Sequence, residues 1–174
     1  LLPDDRAAVE GAITYLGERY EVDEICVIRA GGLEAARWVG KSGIAPVDQL
    51  SPDERTNNPA VLPTLQLPDD SFFQSDPYVS PDSGRWVIGV ATPIVLPSGV
   101  TAGILHFEIP LSWFQSKVQE STVPGGFSFL MTRDGHLLSH PDLQTVRPHE
   151  PIPGAAHDDD DAHGFPHVNA WGST

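Results

Sequence analysis

Apolar and polar residues follow two different periods along the first 120 residues. A helical spacing of apolar residues predicts a helix from Arg6 to about Tyr20, with acidic capping residues just before it. Two strand-like runs follow, Glu24–Arg29 and Glu34–Val39, joined by a turn that contains Gly31-Gly32. This part of the chain therefore predicts a helix followed by a β-hairpin.

Three further elements have clear patterns in the second half of the chain. Arg85–Val95 and Val100–Pro110 predict a long hairpin, and their nearly continuous apolar character indicates that both faces of the sheet are covered. Leu111–Glu120 is typical of a short amphipathic helix. A second hairpin is predicted from Phe127–Thr132 and His136–Ser139. The order of elements predicts an α+β fold with an antiparallel sheet.

Two stretches follow neither period. Residues 41–70 contain five prolines, and we expect a long irregular segment that includes a helical turn from Asp53, capped at Ser51-Pro52. Such long loops within compact domains are often functional. Beyond Pro141 the apolar residues are scattered, so 142–174 is interpreted as an extended loop or an incompletely represented second module.

Charge and composition exclude several classes of function. The chain has 24 acidic and 10 basic residues, a net charge of −14. Such a surface repels nucleic-acid phosphates and anionic lipid headgroups, so neither is an expected partner. Its apolar runs are shorter than the roughly 18 residues that a membrane span needs. Because the chain begins with Leu1 and Met131 is its only methionine, we expect an excised or processed fragment of a longer protein.

Searches for catalytic motifs favour a protein that is not an enzyme. Cys26 is the only cysteine, which excludes an internal disulfide, and its strand-like setting indicates a buried small apolar side chain. Nucleophile-elbow, Walker and dinucleotide-binding motifs are absent from the sequence. The acidic loop from His157 to His163 leaves a metal-dependent hydrolase as an alternative, with a solvated loop as the simpler interpretation. No cofactor and no resident metal are predicted.

Three phrases in a fixed order carry a resemblance to a known family. The phrase Ser75–Tyr78 leads into a strand containing Ala91-Thr92-Pro93, which is followed by the strand Gly103–Ile109 and a helix. Gly126–Pro141 is similar to the opening hairpin of a second module. Together they resemble the Cache domains, PAS-like extracytoplasmic sensors of bacterial receptors, in their double form.

The resemblance implies both an architecture and a function. Residues 1–120 would form the N-terminal helix and the membrane-distal ligand-binding module, and 121–174 a partial second module. The family binds small molecules, such as amines and carboxylates, outside the membrane and signals to a histidine kinase, chemoreceptor or diguanylate cyclase output. Its receptors act as dimers, so a homodimer is implied. The alternative is a protein-interaction module that binds no small ligand.

The resemblance also implies where a ligand binds. In this family the pocket lies between the sheet and the irregular segment, here Asn57–Gln74. Tyr78 matches the family's tyrosine, whereas Ser80 stands at an aspartate position and Glu108 replaces the late aspartate. The Arg-x-Trp phrase that holds an α-carboxylate is missing, and Arg55 is the nearest base. Binding of generic α-amino acids is therefore not expected, whereas an ammonium group at Glu108 is.

Strand alternation adds neighbours to this set. His106 lies two residues before Glu108, so both side chains are expected on the same face of the strand. A histidine and a glutamate in one cleft can bind a polar ligand or respond to pH. Phe73 and Trp86 are interpreted as pocket wall or core. The predicted ligand-binding residues are thus Arg55, Phe73, Tyr78, Trp86, His106 and Glu108.

Overall fold

The computed structural model describes residues 6–120, 126–132, 135 and 137–140. In chain order, its helices and strands are α1 (Arg6–Arg19), β1 (Glu24–Arg29), β2 (Glu34–Val39), β3 (Gly43–Ile44), α2 (Glu54–Asn57), α3 (Val61–Thr64), β4 (Phe73–Val79), β5 (Trp86–Val95), β6 (Thr101–Pro110), α4 (Leu111–Glu120), β7 (Leu130–Met131) and β8 (Leu137–Ser139). The fold is α+β, as the sequence predicts.

Six of the strands form one sheet in the order β3-β2-β1-β6-β5-β4. The first and last hairpins of the module meet in the middle, where β1 pairs antiparallel with β6 and Glu24 lies opposite Glu108. Strands β5 and β6 are paired antiparallel along nearly their whole length, from Val87 opposite Pro110 to Val95 opposite Thr101. Strand β1 is therefore covered on both edges and lies at the centre of the module.

One face of the sheet packs against α1. Ile13 of the helix is buried with Ile25 and Val27 of β1 and with Trp38 of β2. The close approach of helix and sheet depends on Gly17, because a Cβ at this position would lie 2.4 Å from the Trp38 ring. The face of the sheet that packs against α1 is thus an apolar core, and α1 can approach Trp38 this closely only because residue 17 has no side chain.

The opposite face packs against the irregular segment. Cys26 and Ile28 of β1 and Ile104 of β6 form a buried cluster with Ala60 and Val61 at the start of α3. This segment contains helical turns of only four residues each, and side-chain hydrogen bonds help to stabilise them. For example, the Asn58 side chain accepts a hydrogen bond from the Ala60 amide at 3.0 Å. Proline-rich sequence and local caps thus produce a cover made of single helical turns.

The elements with strong periodicity were predicted most closely. The bounds of β1, β2 and α4 agree with the sequence analysis, and α1 ends one residue earlier, at Arg19. The helical turn near residue 53 is present, but its cap is Asp53, which accepts a hydrogen bond from the Arg55 amide. The expected Ser51-Pro52 cap was therefore wrong. Strand β4 and helix α3 were missed because prolines interrupt both periods.

A second compact unit comprises Asp76–Tyr78 and Leu111–Thr174, whereas the first comprises Leu1–Ser75 and Val79–Pro110. Within the second unit, Gln115 of α4 accepts a hydrogen bond from the Ser139 hydroxyl at 2.9 Å and donates one to the His140 carbonyl at 2.7 Å. The proposed division at residue 120 stays a prediction. The acidic loop from His157 to His163 lies outside the described residues.

A search of the described helices finds none that is long and apolar enough to cross a membrane.

Candidate functional site

Four polar side chains are buried together in the centre of the sheet. Glu24 and Cys26 lie on β1, and their cross-strand partners on β6 are Glu108 and His106, respectively. All four are between 2% and 6% exposed. Directly paired residues of antiparallel strands project to the same side, so these four form one group, which we call the β1–β6 polar cluster.

The alternation of β6 places the cluster on the face that the irregular segment covers. Ile104, His106 and Glu108 are buried on this side, whereas Leu105 and Phe107 pack against the core beneath α1. The sequence analysis expected this division of β6 from its period of two. The structure adds Glu24 and Cys26, which the sequence analysis did not assign to a site.

Cys26 and His106 are in direct contact. The Cys26 Sγ lies 3.5 Å from the His106 Nδ1. Burial lowers the pKa of His106 to about 4, because a charged imidazolium would lose its hydration. Burial, followed by the charges of Glu24 and Glu34, raises the pKa of the Cys26 thiol well above its ordinary value. At neutral pH a neutral thiol and a neutral imidazole therefore share this contact.

Glu24 is protonated at neutral pH. Burial, a hydrogen bond with Asp82 and the charge of Glu108 raise its pKa to about 10, and Arg37 opposes the shift. One of its oxygens, Oε2, is buried and has no hydrogen-bond partner among the described residues. A buried polar atom without a partner costs free energy, so Glu24 is a candidate for contact with a group that the structure does not contain.

Charged residues beside the cluster tie the irregular segment to the sheet. Arg37 of β2 donates to Asp82 at 3.1 Å and to the Gln49 carbonyl at 2.7 Å. Glu34 accepts a hydrogen bond from the Ser51 amide at 2.7 Å. These contacts join β2 to residues 49–51 of the irregular segment and to the loop between β4 and β5.

The other predicted site residues lie in different places. Phe73 packs against the core of the cluster's face, and Trp86 is half-buried as the first residue of β5. Tyr78 lies in β4, in the stretch that groups with the second unit. Their roles as ligand contacts stay predictions.

Arg55 lies near the opposite end of β1 from Glu24. A Cβ on Gly32, in the turn after β1, would lie 2.8 Å from the Arg55 Cγ. Strand β1 has six residues, so its ends are about 17 Å apart. The structure therefore does not bring Arg55 and Glu24 together.

A cavity of about 290 Å³ lies on the other face of the module, between α1 and the sheet. Apolar side chains line it, among them those of Val9, Ile13, Val27, Ile94 and Leu105. The sequence analysis expected the pocket on the opposite face of the sheet, beneath Asn57–Gln74. At that place the side chains of Ala60, Val61, Leu65 and Phe73 pack against the cluster's face. A polar ligand at the cluster would therefore require these side chains to move.

Signals for the missed cluster residues were only partly present in the sequence. Period two in β1 places Glu24 and Cys26 on one face, as it does His106 and Glu108 in β6. Their meeting depends on the register between two strands separated by about 80 residues, as the Cys26–His106 contact shows. No turn connects β1 to β6 directly, so the sequence had no local signal for that register.

Comparison with solved structures finds similar folds in bacterial sensor proteins. The ligand-binding domain of the Pseudomonas fluorescens chemoreceptor CtaA, in complex with L-serine, is 19% identical over 85% of this chain, with a TM-score of 0.62. The sensory domain of the Campylobacter jejuni chemoreceptor Tlp3, with isoleucine bound, is 16% identical over 86% of the chain, with a TM-score of 0.66. The extracellular domain of vpHK1S-Z8, a protein assigned to the histidine kinases, is 15% identical over 83%, with a TM-score of 0.61.

The chain has the fold of a Cache-type sensor domain. It spans 60%, 58% and 55% of the lengths of these three structures, respectively. Comparisons of the sequence with protein-family models and with curated proteins gave no match. The resemblance stated from the sequence motifs is thus confirmed at the level of the fold.

Proposed function

We propose that this chain is the extracytoplasmic, ligand-binding sensor region of a bacterial transmembrane receptor and is not itself an enzyme. The observation that carries the proposal is the β1–β6 polar cluster, buried beneath an irregular cover. The three solved structures of similar fold come from two chemoreceptors, one with L-serine and one with isoleucine, and from a histidine kinase's extracellular domain. The same proposal includes a signalling output of the histidine kinase, chemoreceptor or diguanylate cyclase type, and a receptor that acts as a homodimer.

The composition of the cluster supports a small organic amine as the ligand. Glu24 and Glu108 provide two carboxyl groups side by side, and an ammonium group between them would pair with the Glu108 carboxylate and favour ionisation of Glu24. The nearby cation Arg37 already binds Asp82 and the Gln49 carbonyl. A ligand carboxylate would have to compete with these partners, so an amine without one is favoured.

The cover supports a mechanism of signalling. Helices α2 and α3 have four residues each, too few to be stable by themselves. The cover is therefore held mainly by side-chain packing and by polar contacts such as that of the Arg37 side chain with the Gln49 carbonyl. In the proposed mechanism the cover has two arrangements, one packed on the sheet and one moved away from it. A ligand that binds one of them more tightly shifts the equilibrium between them by its difference in affinity for the two.

Thermal unfolding with a panel of amines, amino acids, carboxylates and purines tests the proposal. At a hundred times its dissociation constant a ligand stabilises the folded state by about 2.7 kcal/mol. We expect amines to raise the melting temperature of the wild-type protein, and we expect Glu108→Gln to abolish this rise.

The matched control is Glu18→Gln, which changes an exposed carboxylate of α1 and should leave the ligand response intact. A response to carboxylates alone would contradict the amine proposal. The absence of any response across the panel would contradict the sensor proposal and favour the protein-interaction module.

A further inference from the structure

Three side chains of different chemistry converge at one point of the β1–β6 polar cluster. Glu24, Cys26 and His106 each offer one donor atom, and these three atoms all lie within 4.8 Å of one another. The three residues are 6%, 2% and 2% exposed, respectively. We propose that they form a binding site for one zinc-class divalent transition-metal ion.

The spacing of sulfur and nitrogen fits tetrahedral coordination. A zinc ion holds a thiolate at about 2.3 Å and an imidazole nitrogen at about 2.0 Å, so at the tetrahedral angle the two donors are about 3.5 Å apart. The Cys26 Sγ and the His106 Nδ1 are 3.5 Å apart. These two donors therefore need little movement to accept the ion, and the Glu24 carboxylate, with an oxygen within 4.8 Å of both, provides the third ligand.

The donor set selects the class of metal. Thiolate and imidazole ligands favour zinc and similar transition ions, whereas calcium and magnesium take oxygen ligands. A divalent ion also balances the two negative charges of the Cys26 thiolate and the Glu24 carboxylate. Glu108 lies directly opposite Glu24. It can orient the Glu24 carboxylate or supply an oxygen as the fourth ligand.

A second observation points to a missing partner. The buried Glu24 Oε2 has no hydrogen bond among the residues that the structure describes. Coordination to a metal ion would give this carboxylate oxygen the electrostatic partner that the described residues around it do not supply. The same ion replaces the proton of the Cys26 thiol at its contact with His106.

The burial of the site predicts how the ion enters. Ala60 and Val61 pack against the cluster's face and are at most 2% exposed, so the folded cover shields the donors from solvent. We expect the metal to load during folding and to exchange slowly afterwards. This inference does not depend on the proposed amine ligand, because a metal ion can hold the three residues in a protein that senses nothing.

Cobalt substitution gives a specific test, because a thiolate bound to Co²⁺ produces a charge-transfer absorption band. Cys26 is the only cysteine of the chain, so this band can arise from no other residue, including the histidines of the C-terminal acidic loop. The whole chain is unfolded with chelator, then refolded with Co²⁺. We expect one Co²⁺ per chain, the charge-transfer band, and displacement of both by an equal amount of Zn²⁺.

Variants separate the site from other metal binding. Cys26→Ala should remove the band, and His106→Gln or Glu24→Gln should weaken Co²⁺ binding at least tenfold. A variant with both His157→Ala and His163→Ala should keep the band and the stoichiometry. Circular dichroism without metal shows whether each variant folds.

Refolded wild-type protein without the band would overturn the proposal, whatever the variants do, and would identify the cluster as a metal-free set of hydrogen-bonded neutral groups. A band with half an ion per chain would also overturn it, since the ion would then join two chains. The cobalt result is independent of the thermal unfolding panel, so a protein that responds to none of the tested ligands can still show the charge-transfer band.

Discussion

Glu24 gives the module an unusual dependence of stability on pH. Its pKa is about 10 in the folded protein, mainly because of burial, against an ordinary value of 4.5. Between these values the folded state holds a proton that the unfolded state has lost, so the free energy of unfolding falls as pH rises. The fall is about 1.4 kcal/mol per pH unit for one proton.

His106 acts in the opposite direction over a lower range. Its pKa falls from 6.5 to about 4 on folding because of burial, so between these values the unfolded state binds the extra proton and stability rises with pH. The two effects oppose each other between pH 4.5 and 6.5. Above pH 6.5 the unfolded imidazole loses its remaining proton, so the opposing effect fades within about one pH unit and the effect of Glu24 remains.

The measurement is urea unfolding at several pH values from 6.5 to 8.5, followed by tryptophan fluorescence with chelator present. Trp38 is 7% exposed and reports exposure of the core. We expect the free energy of unfolding to fall by about 3 kcal/mol over these two pH units. With urea slopes of about 1–3 kcal/mol/M, the midpoint should fall by about 1 to 3 M.

Glu24→Gln should remove most of this dependence, because the amide carries no titrating proton. The control Glu21→Gln changes an exposed carboxylate three residues earlier and should keep the wild-type slope. Burial also raises the pKa of Glu34, which steepens the slope equally in both proteins, so the difference between them isolates Glu24. Equal slopes in wild type and Glu24→Gln would refute the assignment of a protonated, buried Glu24.

Two further predictions concern close approaches of the backbone. In urea unfolding, Gly17→Ala should destabilise the module by about 1–3 kcal/mol relative to Gly11→Ala. A Cβ added at residue 17 would lie 2.4 Å from the Trp38 ring, whereas a Cβ added at residue 11 would have no neighbour within 4 Å. Gly11→Ala by itself should stabilise α1 by about 1 kcal/mol, and equal effects of the two changes would contradict the helix–sheet contact. Gly103→Ala should lower the melting temperature strongly, because its Cβ would lie 2.2 Å from the Ile28 carbonyl oxygen; a wild-type melting temperature would contradict the β1–β6 pairing.

The sequence by itself determined the elements whose signal is local. The period of β1, the glycines after it and the amphipathic spacing of α4 require only neighbouring residues, and their predicted bounds agree with the structure. The same period placed His106 and Glu108 on one face of β6. The proline-rich segment before β4 lacked a period, so its helical turn α3 was not predicted.

Tertiary structure decided what the buried face contains. The register between β1 and β6 places Glu24 opposite Glu108 and Cys26 opposite His106, and this register arises from the packing of the whole sheet. Burial then changes the chemistry, since Cys26 has the setting of a small apolar residue in the sequence yet contacts an imidazole in the fold. Charge, protonation and metal affinity depend on neighbours distant in the chain and on the exclusion of water, and both exist only once the sheet has formed.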